Sequence, residues 1–224
     1  MNNPERTLSR PRIAVLASGD GSNMQALAAA CADGRIAADM ALVLANRPDA
    51  GVRRRADALA IPQACVDHRQ FASRGDFDKE LHRRLQQAGI DLVVLAGFMR
   101  ILSEGFVRQY CGSLLNIHPS LLPKYPGLNT HQRALDSGDR ETGATVHFVV
   151  PELDAGPSII QAAVPVLPRD DAQRLAQRVR IAEHRIYPRA VHWWVEGRLA
   201  LRDGKAWLDG EAIVDALQND CRID

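Results

Sequence analysis

Aromatic residues, cysteine and net charge are all scarce in this chain of 224 residues. Lysine and arginine number 28 against 27 for aspartate and glutamate, so no polycationic surface for a nucleic-acid backbone is expected. The four cysteines, Cys31, Cys65, Cys111 and Cys221, stand far apart, without zinc-ligand spacing or the density of a disulfide framework. We therefore predict no nucleic-acid partner, and the cysteine usage is typical of a reducing cytoplasm.

Long apolar segments are missing as well. The first eleven residues are polar, which argues against a signal peptide, and no later run has the length needed to cross a bilayer. The expectation is a soluble cytoplasmic protein without a membrane partner. Its length suits one α/β domain over residues 12–210, between an N-terminal tail of residues 1–11 and a C-terminal tail of residues 211–224.

Short apolar runs alternate with helical stretches along the chain. Strands are predicted at residues 12–17, 40–45, 63–66, 91–96, 113–117, 145–150 and 159–166, and helices at residues 24–32, 53–60, 76–88, 104–109 and 170–194. Asp76 is the expected cap of the third helix, Pro188 is expected to kink the last one, and Asp203-Gly204 predicts a hairpin. The strand runs are apolar at consecutive positions, which predicts a mostly parallel central sheet with helices on both faces.

A glycine turn, Gly19-Asp20-Gly21-Ser22-Asn23, follows the first strand. Glycine allows close backbone approach, and the following helix offers unpaired N–H groups to an anion. The spacing is not the full dinucleotide fingerprint, so the turn is either a phosphate site or an ordinary strand-to-helix connection.

Asn116 and His118 end a buried strand and flank one residue, so both side chains are expected on the same face of the sheet. An asparagine amide can donate a hydrogen bond to an oxyanion that develops on a carbonyl carbon under attack. A protonated histidine can stabilise the same charge and pass a proton to a leaving nitrogen. The alternative is that His118 only makes a hydrogen bond within the proline-stiffened loop that follows, residues 118–127.

Asp154 lies in the turn Glu152-Leu153-Asp154-Ala155-Gly156-Pro157 between two predicted strands. A carboxylate beside His118 would stabilise an imidazolium and could accept a proton from an attacking amine, directly or through water. Alternatively, Asp154 only stabilises its own turn. The sequence contains no metal-ligand spacing and no Gly-x-Ser-x-Gly motif, so we predict no metal and no covalent transfer through Ser120.

The run Leu-Leu-Asn-Ile-His-Pro-Ser-Leu-Leu-Pro-Lys-Tyr-Pro-Gly-Leu, residues 114–128, closely resembles the folate-dependent glycinamide ribonucleotide formyltransferases. The resemblance extends over residues 13–208 and includes Ala-Gly-Phe-Met-Arg-Ile-Leu at 96–102 and Glu-Leu-Asp-Ala-Gly-Pro at 152–157. It implies a Rossmann-like fold with a nucleotide-binding half, residues 12–110, and a folate-binding half, residues 111–210. It also implies a 10-formyltetrahydrofolate co-substrate and phosphoribosylglycinamide as formyl acceptor, in a monomer or homodimer.

The resemblance also implies residue roles. Asn116, His118 and Asp154 match the catalytic trio, and His118 matches the proton donor. The residues matching the ribonucleotide site are Gly21, Ser22, Asn23, Arg180 and Glu183. Those matching the folate site are Arg74, Met99, Arg100, Ile101, Leu102, Val150, Pro151, Glu152 and Leu153. Without the family, Met99 and its apolar neighbours would be assigned to the core and Glu183 to an exposed helix face.

Three positions depart from the family pattern: Asp20, Asn129 and Arg180 stand where Asn, His and Gln are common. Asp20 adds negative charge beside the phosphate loop, and Arg180 is expected to compensate for it. Two related enzymes are alternatives. A formyltetrahydrofolate hydrolase keeps the same trio, with water in place of the amine. A methionyl-tRNA formyltransferase ranks lower, because it would need a basic tRNA-binding domain. A non-catalytic folate or nucleotide sensor is the alternative from a different class.

Overall fold

The computed structural model describes residues 10–218, in which an eight-stranded sheet carries helices on both faces and a three-stranded sheet follows it. The strands are β1 (Arg12–Ala17), β2 (Asp39–Ala45), β3 (Gln63–Cys65), β4 (Leu92–Leu95), β5 (Leu114–His118), β6 (Glu141–Phe148), β7 (Ser158–Pro165), β8 (Leu199–Arg202), β9 (Lys205–Leu208), β10 (Glu211–Ala212) and β11 (Leu217–Gln218). The helices are α1 (Ser22–Ala32), α2 (Gly51–Ala58), α3 (Arg74–Gln87), α4 (Glu104–Gln109), α5 (Thr130–Asp136) and α6 (Ala172–Val195), with a 3-10 turn at His68–Gln70.

The large sheet has the order β11-β7-β6-β5-β4-β1-β2-β3. All neighbouring strands are parallel except β6, which runs antiparallel to both β5 and β7. The predicted mostly parallel α/β sheet is therefore confirmed. Because successive strands move outward from β1 to β3 and then return to β4 beside β1, the strand order reverses between β1 and β4.

The apolar side chains of β1 alternate between two hydrophobic layers. Ile13 and Val15 pack with α1, α2 and α6 on one face, whereas Ala14 and Leu16 pack with α3 and α4 on the other. A strand covered on both sides has no solvent-facing positions, which explains its continuous apolar run.

Two local predictions were wrong in their details. The cap of α3 is Ser73, whose hydroxyl accepts the Asp76 N–H at 3.1 Å, while Asp76 returns the contact by accepting from the Ser73 hydroxyl at 2.8 Å. The Ser73 hydroxyl thus caps the helix and also holds the Asp76 carboxylate in the first turn, where negative charge is favourable. α5, which was not predicted, begins after Asn129, where the backbone takes the left-handed conformation (φ 57°).

The carboxyl-terminal part of the chain also differs from the prediction. Residues 211–218, expected as a tail, include β10, which pairs with β9, and β11, which pairs in parallel with β7. The expected hairpin about Asp203 is present as β8 and β9. α6 continues through the buried Pro188 for 24 residues, and within residues 10–218 no helix is both long and apolar enough to span a membrane. The remaining residues of both predicted tails, 1–9 and 219–224, lie outside the described part of the chain.

Tyr187, fully buried on α6, forms hydrogen bonds with two central strands. Its hydroxyl lies 2.8 Å from the Leu95 carbonyl of β4 and 3.1 Å from the Leu115 carbonyl of β5. We expect Tyr187→Phe to lower the free energy of unfolding by about 1–3 kcal/mol, because two buried carbonyls lose a donor. Urea denaturation measures this, and an unchanged midpoint would contradict the structural role of the hydroxyl.

Candidate active site

The glycine turn after β1 meets the segment after β4 at the carboxyl edge of the sheet. The Ser18 N–H donates to the Gly97 carbonyl at 3.0 Å, and the Met99 N–H donates to the Ser18 hydroxyl at 2.7 Å. These loops leave the sheet where its strand order reverses, and α/β proteins bind ligands in the crevice that such a reversal opens. The structure thus joins the predicted phosphate turn to the segment that the resemblance assigned to folate.

Gly21 turns the chain from β1 into α1. Its φ is 86°, and an added Cβ would lie 2.6 Å from the Val52 side chain, so glycine is required by both conformation and space. Among the described residues, no side chain caps α1 and no acidic residue occupies its first turn. The first N–H groups of the helix, at Ser22 and beyond, are available to an anion.

The negative charge of Asp20 is balanced by Arg55. The Arg55 guanidinium lies 2.7 Å from Asp20 Oδ2, donates to the Asp20 carbonyl at 2.9 Å and also contacts Gln25. The compensating attraction expected from Arg180 for the phosphate stays a prediction. No spacing in the sequence relates Asp20 to Arg55 on α2.

Asn23 and Glu183 connect α1 to α6 across the cleft. The Asn23 amide donates to Glu183 Oε2 at 2.7 Å, whereas the buried Asn23 Oδ1 has no partner among the described residues. Burial raises the pKa of the Glu183 carboxyl, and the Asn23 hydrogen bond and the positive charge of Arg180 oppose that rise. Glu183 is therefore not the exposed helix residue of the alternative interpretation.

Asn116 lies opposite His147 in the β5–β6 register, and the two side chains are hydrogen-bonded. His147 Nδ1 lies 2.8 Å from the Phe148 carbonyl, so Nδ1 carries the proton and Nε2 accepts from the Asn116 amide at 3.0 Å. Burial lowers the pKa of His147, which agrees with a neutral ring. The amide of Asn116 is thereby held with its nitrogen toward His147 and a second N–H left over.

His118 is the last residue of β5, and its buried ring faces two acceptors. Nε2 lies 2.8 Å from the Tyr125 carbonyl, and Nδ1 lies 3.4 Å from Asp154 Oδ2. Since a carbonyl only accepts, Nε2 carries a proton and Nδ1 is the nitrogen that faces the carboxylate. The loop hydrogen bond of the alternative interpretation exists, but it leaves Nδ1 beside Asp154.

Asp154 reaches His118 from the connection between β6 and β7. Its Oδ2 accepts the Gly127 N–H at 2.8 Å, and its Oδ1 lies 3.9 Å from His147 Nε2. The connection packs against the end of β6 at Gly156. An added Cβ there would lie 1.8 Å from the Phe148 carbonyl oxygen, so only glycine fits. Its contacts join Asp154 to distant segments and are not confined to its own turn.

Apolar side chains are exposed on the two segments that the resemblance assigned to the folate site. Met99, Ile101 and Leu153 are each more than half exposed, whereas Leu102 is buried in the layer under α4. Arg74 is exposed at the first residue of α3, and no hydrogen bond within residues 10–218 joins it to the other candidate residues. Of the remaining predicted folate residues, Arg100 and Val150 are half-buried and Pro151 and Glu152 are exposed.

Three polar residues at the site were missed by the sequence interpretation. His147 orients Asn116 as described above. The pKa of His131, on α5, is lowered by burial and by the positive charges of Arg180 and His118. The buried carboxylate of Asp78 accepts the Ser103 N–H at 2.6 Å and so fixes the end of the segment that carries Met99. None belongs to a motif that spacing alone would reveal. In the described part of the chain, no three His, Cys, Asp or Glu side chains form a potential metal site.

The fold is that of Rossmann-like α/β enzymes, with the candidate polar groups gathered near the carboxyl edge of the sheet. A model of the formyl transferase family matches residues 11–191. The chain belongs to this family.

The chain is similar to phosphoribosylglycinamide formyltransferases from several bacteria. It is 48% identical over 201 residues to that of Escherichia coli (strain K12), covering 90% of this chain and 95% of the relative. It is 46% identical over 202 residues to that of Haemophilus influenzae, with the same coverage of 90% and 95%. The structure of the phosphoribosylglycinamide formyltransferase of Coxiella burnetii superposes with a TM-score of 0.89 at 43% identity, covering 94% of this chain and 99% of that one.

Proposed function

We propose that this chain is a phosphoribosylglycinamide formyltransferase, which moves the formyl group of 10-formyltetrahydrofolate to the amine of 5'-phosphoribosylglycinamide in de novo purine biosynthesis. The products are N-formylglycinamide ribonucleotide and tetrahydrofolate. The observation that carries the proposal is the set of contacts joining Asn116, His118 and Asp154, directly or through His147, in a chain that matches such enzymes along nearly their whole length.

The amine attacks the formyl carbon directly in this mechanism. The new carbon–nitrogen bond forms as negative charge develops on the formyl oxygen, and the free N–H of Asn116 donates to that oxygen. A preorganised donor of this kind lowers a barrier by a few kcal/mol. His147, a neutral acceptor on the other N–H, keeps the amide from turning its oxygen toward the developing charge.

His118 and Asp154 handle the protons. The attacking amine must lose one proton, and the bond from the formyl carbon to the folate nitrogen breaks as that nitrogen gains one. Asp154 accepts the first proton, directly or through water, and the His118 imidazolium stabilises the oxyanion and donates the second. The facing of His118 Nδ1 and Asp154 Oδ2 supports this pairing, since each proton movement compensates the charge of the other.

The two substrates occupy opposite sides of this group. The phosphate of the ribonucleotide binds the N–H groups at Gly21, Ser22 and Asn23, and Glu183 accepts from the ribose hydroxyls, with Arg180 beside it. The folate lies against the exposed apolar side chains of the 99–102 and 150–153 segments. These are small-molecule partners, and operation in the cytoplasm as a monomer or homodimer stays a prediction.

A formyltetrahydrofolate hydrolase is the second candidate. A formyltetrahydrofolate deformylase from Pseudomonas syringae superposes on 90% of this chain with a TM-score of 0.82 at 28% identity. This chain covers only 66% of that protein, whereas it covers 95% of the transferases from Escherichia coli and Haemophilus influenzae. The 28% identity to the deformylase is well below the 48% and 46% identities to the transferases, which favours amine over water as the acceptor.

The discriminating experiment follows loss of the formyl donor with and without phosphoribosylglycinamide. Transfer requires the amine, and the formylated amine should accumulate in equal amount to tetrahydrofolate. Donor loss at the same rate without the amine would indicate the hydrolase, and binding of both ligands with no turnover would indicate a sensor.

Glu183→Gln should stabilise the protein at alkaline pH while weakening substrate binding. The raised pKa means that ionisation of Glu183 is harder in the folded than in the unfolded chain. The folded state therefore loses stability as the pH rises from the ordinary pKa of a glutamate to the raised pKa of Glu183. Glutamine keeps an acceptor for Asn23 without the buried charge. Thermal unfolding across pH should show a higher melting temperature for the variant than for the unchanged protein at alkaline pH, and this gap in melting temperature should close on acidification. Kinetics should show a higher KM for the ribonucleotide. A gap that widens on acidification would contradict the assignment.

A further inference from the structure

We propose that Tyr125, clamped by Asp139 and Arg133, is a positioning residue for formyl transfer that fixes the tautomer of His118. The inference rests on the function proposed above, and it concerns the contacts of Tyr125 with Asp139 and Arg133, which have no part in the mechanism described there. Tyr125 acts through its backbone carbonyl and touches neither substrate in this account.

The backbone of Tyr125 is held in an unfavourable conformation. Its φ is 56°, in the left-handed region that a bulky residue rarely adopts. Such a conformation is strained and persists only where surrounding contacts enforce it. In this conformation the carbonyl oxygen lies 2.8 Å from His118 Nε2.

The side chain of Tyr125 supplies the enforcing contacts. Its hydroxyl donates to Asp139 Oδ2 at 2.8 Å, and the Arg133 guanidinium carbon lies 5.1 Å from the ring centroid. Arg133 also donates to the Pro126 carbonyl at 2.6 Å, and Lys124 approaches Asp139 Oδ1 at 3.0 Å. The hydrogen bonds from Lys124 and Tyr125 lower the pKa of Asp139, so the acceptor is a carboxylate. The loop is thereby tied to α5 and the residues just after it.

The clamp determines which nitrogen of His118 serves the reaction. While the Tyr125 carbonyl accepts from Nε2, that nitrogen must carry a proton, and Nδ1 is the position at which a proton is gained from or shared with Asp154. If the carbonyl turns away, the ring can adopt the other neutral tautomer, with the Nδ1 proton permanently toward Asp154. The His118 ring would then accept and donate the transferred proton less effectively, although neither substrate would lose a contact. A fall in kcat at constant KM is the expected signature.

The test compares Tyr125→Phe and Asp139→Ala with two matched controls. Each test variant removes the hydroxyl-to-carboxylate hydrogen bond, and we expect kcat to fall about tenfold, with both KM values within about twofold of the unchanged protein. The double variant should be no slower than the slower single variant, because both remove one contact. Asp139→Asn, which keeps an acceptor oxygen, should retain most of the rate.

The controls remove comparable groups elsewhere. Tyr110→Phe deletes a hydroxyl that contacts His82 between α3 and α4. Asp136→Ala deletes a carboxylate at the end of α5 whose side-chain hydrogen bond, within residues 10–218, is with Gln132. Both should keep kcat. Unchanged kcat in Tyr125→Phe, a loss confined to KM, or equal losses in the controls would overturn the proposal.

A second readout is independent of activity. Nitrogen-15 NMR of the histidine rings should show His118 protonated at Nε2 in the unchanged protein, with faster exchange of that proton or a shifted tautomer in Tyr125→Phe and Asp139→Ala. A His118 signal that is the same in all variants would refute the clamp even if the protein proved to lack transferase activity. Failure of the proposed function would appear instead as absent turnover in the unchanged protein.

Discussion

His118→Ala should lower kcat by about a hundredfold or more and leave the fold intact. The variant loses the group that stabilises the developing oxyanion and protonates the leaving folate nitrogen, and general acid catalysis is worth about 10²–10⁴-fold. The ring is buried, but in the described part of the chain its polar contacts are with the Tyr125 carbonyl and Asp154 and not with the apolar core layers, so we expect those layers to keep their packing. Steady-state kinetics with both substrates measures the loss, with circular dichroism as the check on folding.

The informative comparison is His118→Ala against Asn116→Ala. Asn116 is assigned one hydrogen bond to the oxyanion and no proton transfer. Its removal should therefore raise the activation barrier by a few kcal/mol, and so lower kcat, without changing which protonation steps limit the rate. Normal turnover in His118→Ala in a folded protein would rule out His118 as the proton donor.

Asp154→Asn should also reduce kcat by about a hundredfold or more. The amide oxygen of asparagine can still accept the Gly127 N–H, so the connection between β6 and β7 should stay in place. What disappears is the charge facing His118 Nδ1 and the only carboxylate assigned to take the proton of the amine. The variant therefore separates the chemical role of Asp154 from its structural role.

Asp154→Ala provides the matched comparison, because it removes the Gly127 contact as well. Asp154→Ala should have the lower melting temperature and a similar kcat. If Asp154→Asn kept near-normal turnover while Asp154→Ala lost it, the residue would be structural and the proton acceptor would have to be sought elsewhere.

Much of the fold follows from patterns that are local in sequence. The runs at β1, β2 and β4 are apolar at consecutive positions because helices cover both faces of the sheet, and burial of this kind leaves a direct signal. The positions of Asn116 and His118 at the end of β5 were predictable for the same reason. Their common face follows from the two-residue period of a strand.

Features that depend on distant contacts were not predictable. The antiparallel direction of β6 and the pairing of β11 with β7 depend on which strands meet, and the residues of one strand do not identify its neighbour. α5 has only seven residues, too few for a hydrophobic period to stand out, although Asn129 before it is a residue type that often precedes a helix.

The candidate site divides in the same way. The trio came from a motif, and its members are indeed close in space, but the groups that orient them are separated from them by the fold. His147 reaches Asn116 from the next strand, Arg55 reaches Asp20 from α2, and Tyr125 reaches His118 through a backbone carbonyl. A carbonyl contact leaves no trace in residue type, which explains why sequence reasoning could not find it.

The most direct measurement is a crystal structure of the protein with phosphoribosylglycinamide and an unreactive analogue of 10-formyltetrahydrofolate. We expect the ribonucleotide phosphate at the start of α1 and the carbon that replaces the formyl carbon between the two substrates. The Asn116 amide should lie about 3 Å from the oxygen on that carbon. His118 and Asp154 should lie within hydrogen-bond reach of the reacting nitrogens, directly or through one water. A formyl position beyond the reach of these three side chains, with the amine directed away from it, would contradict the account.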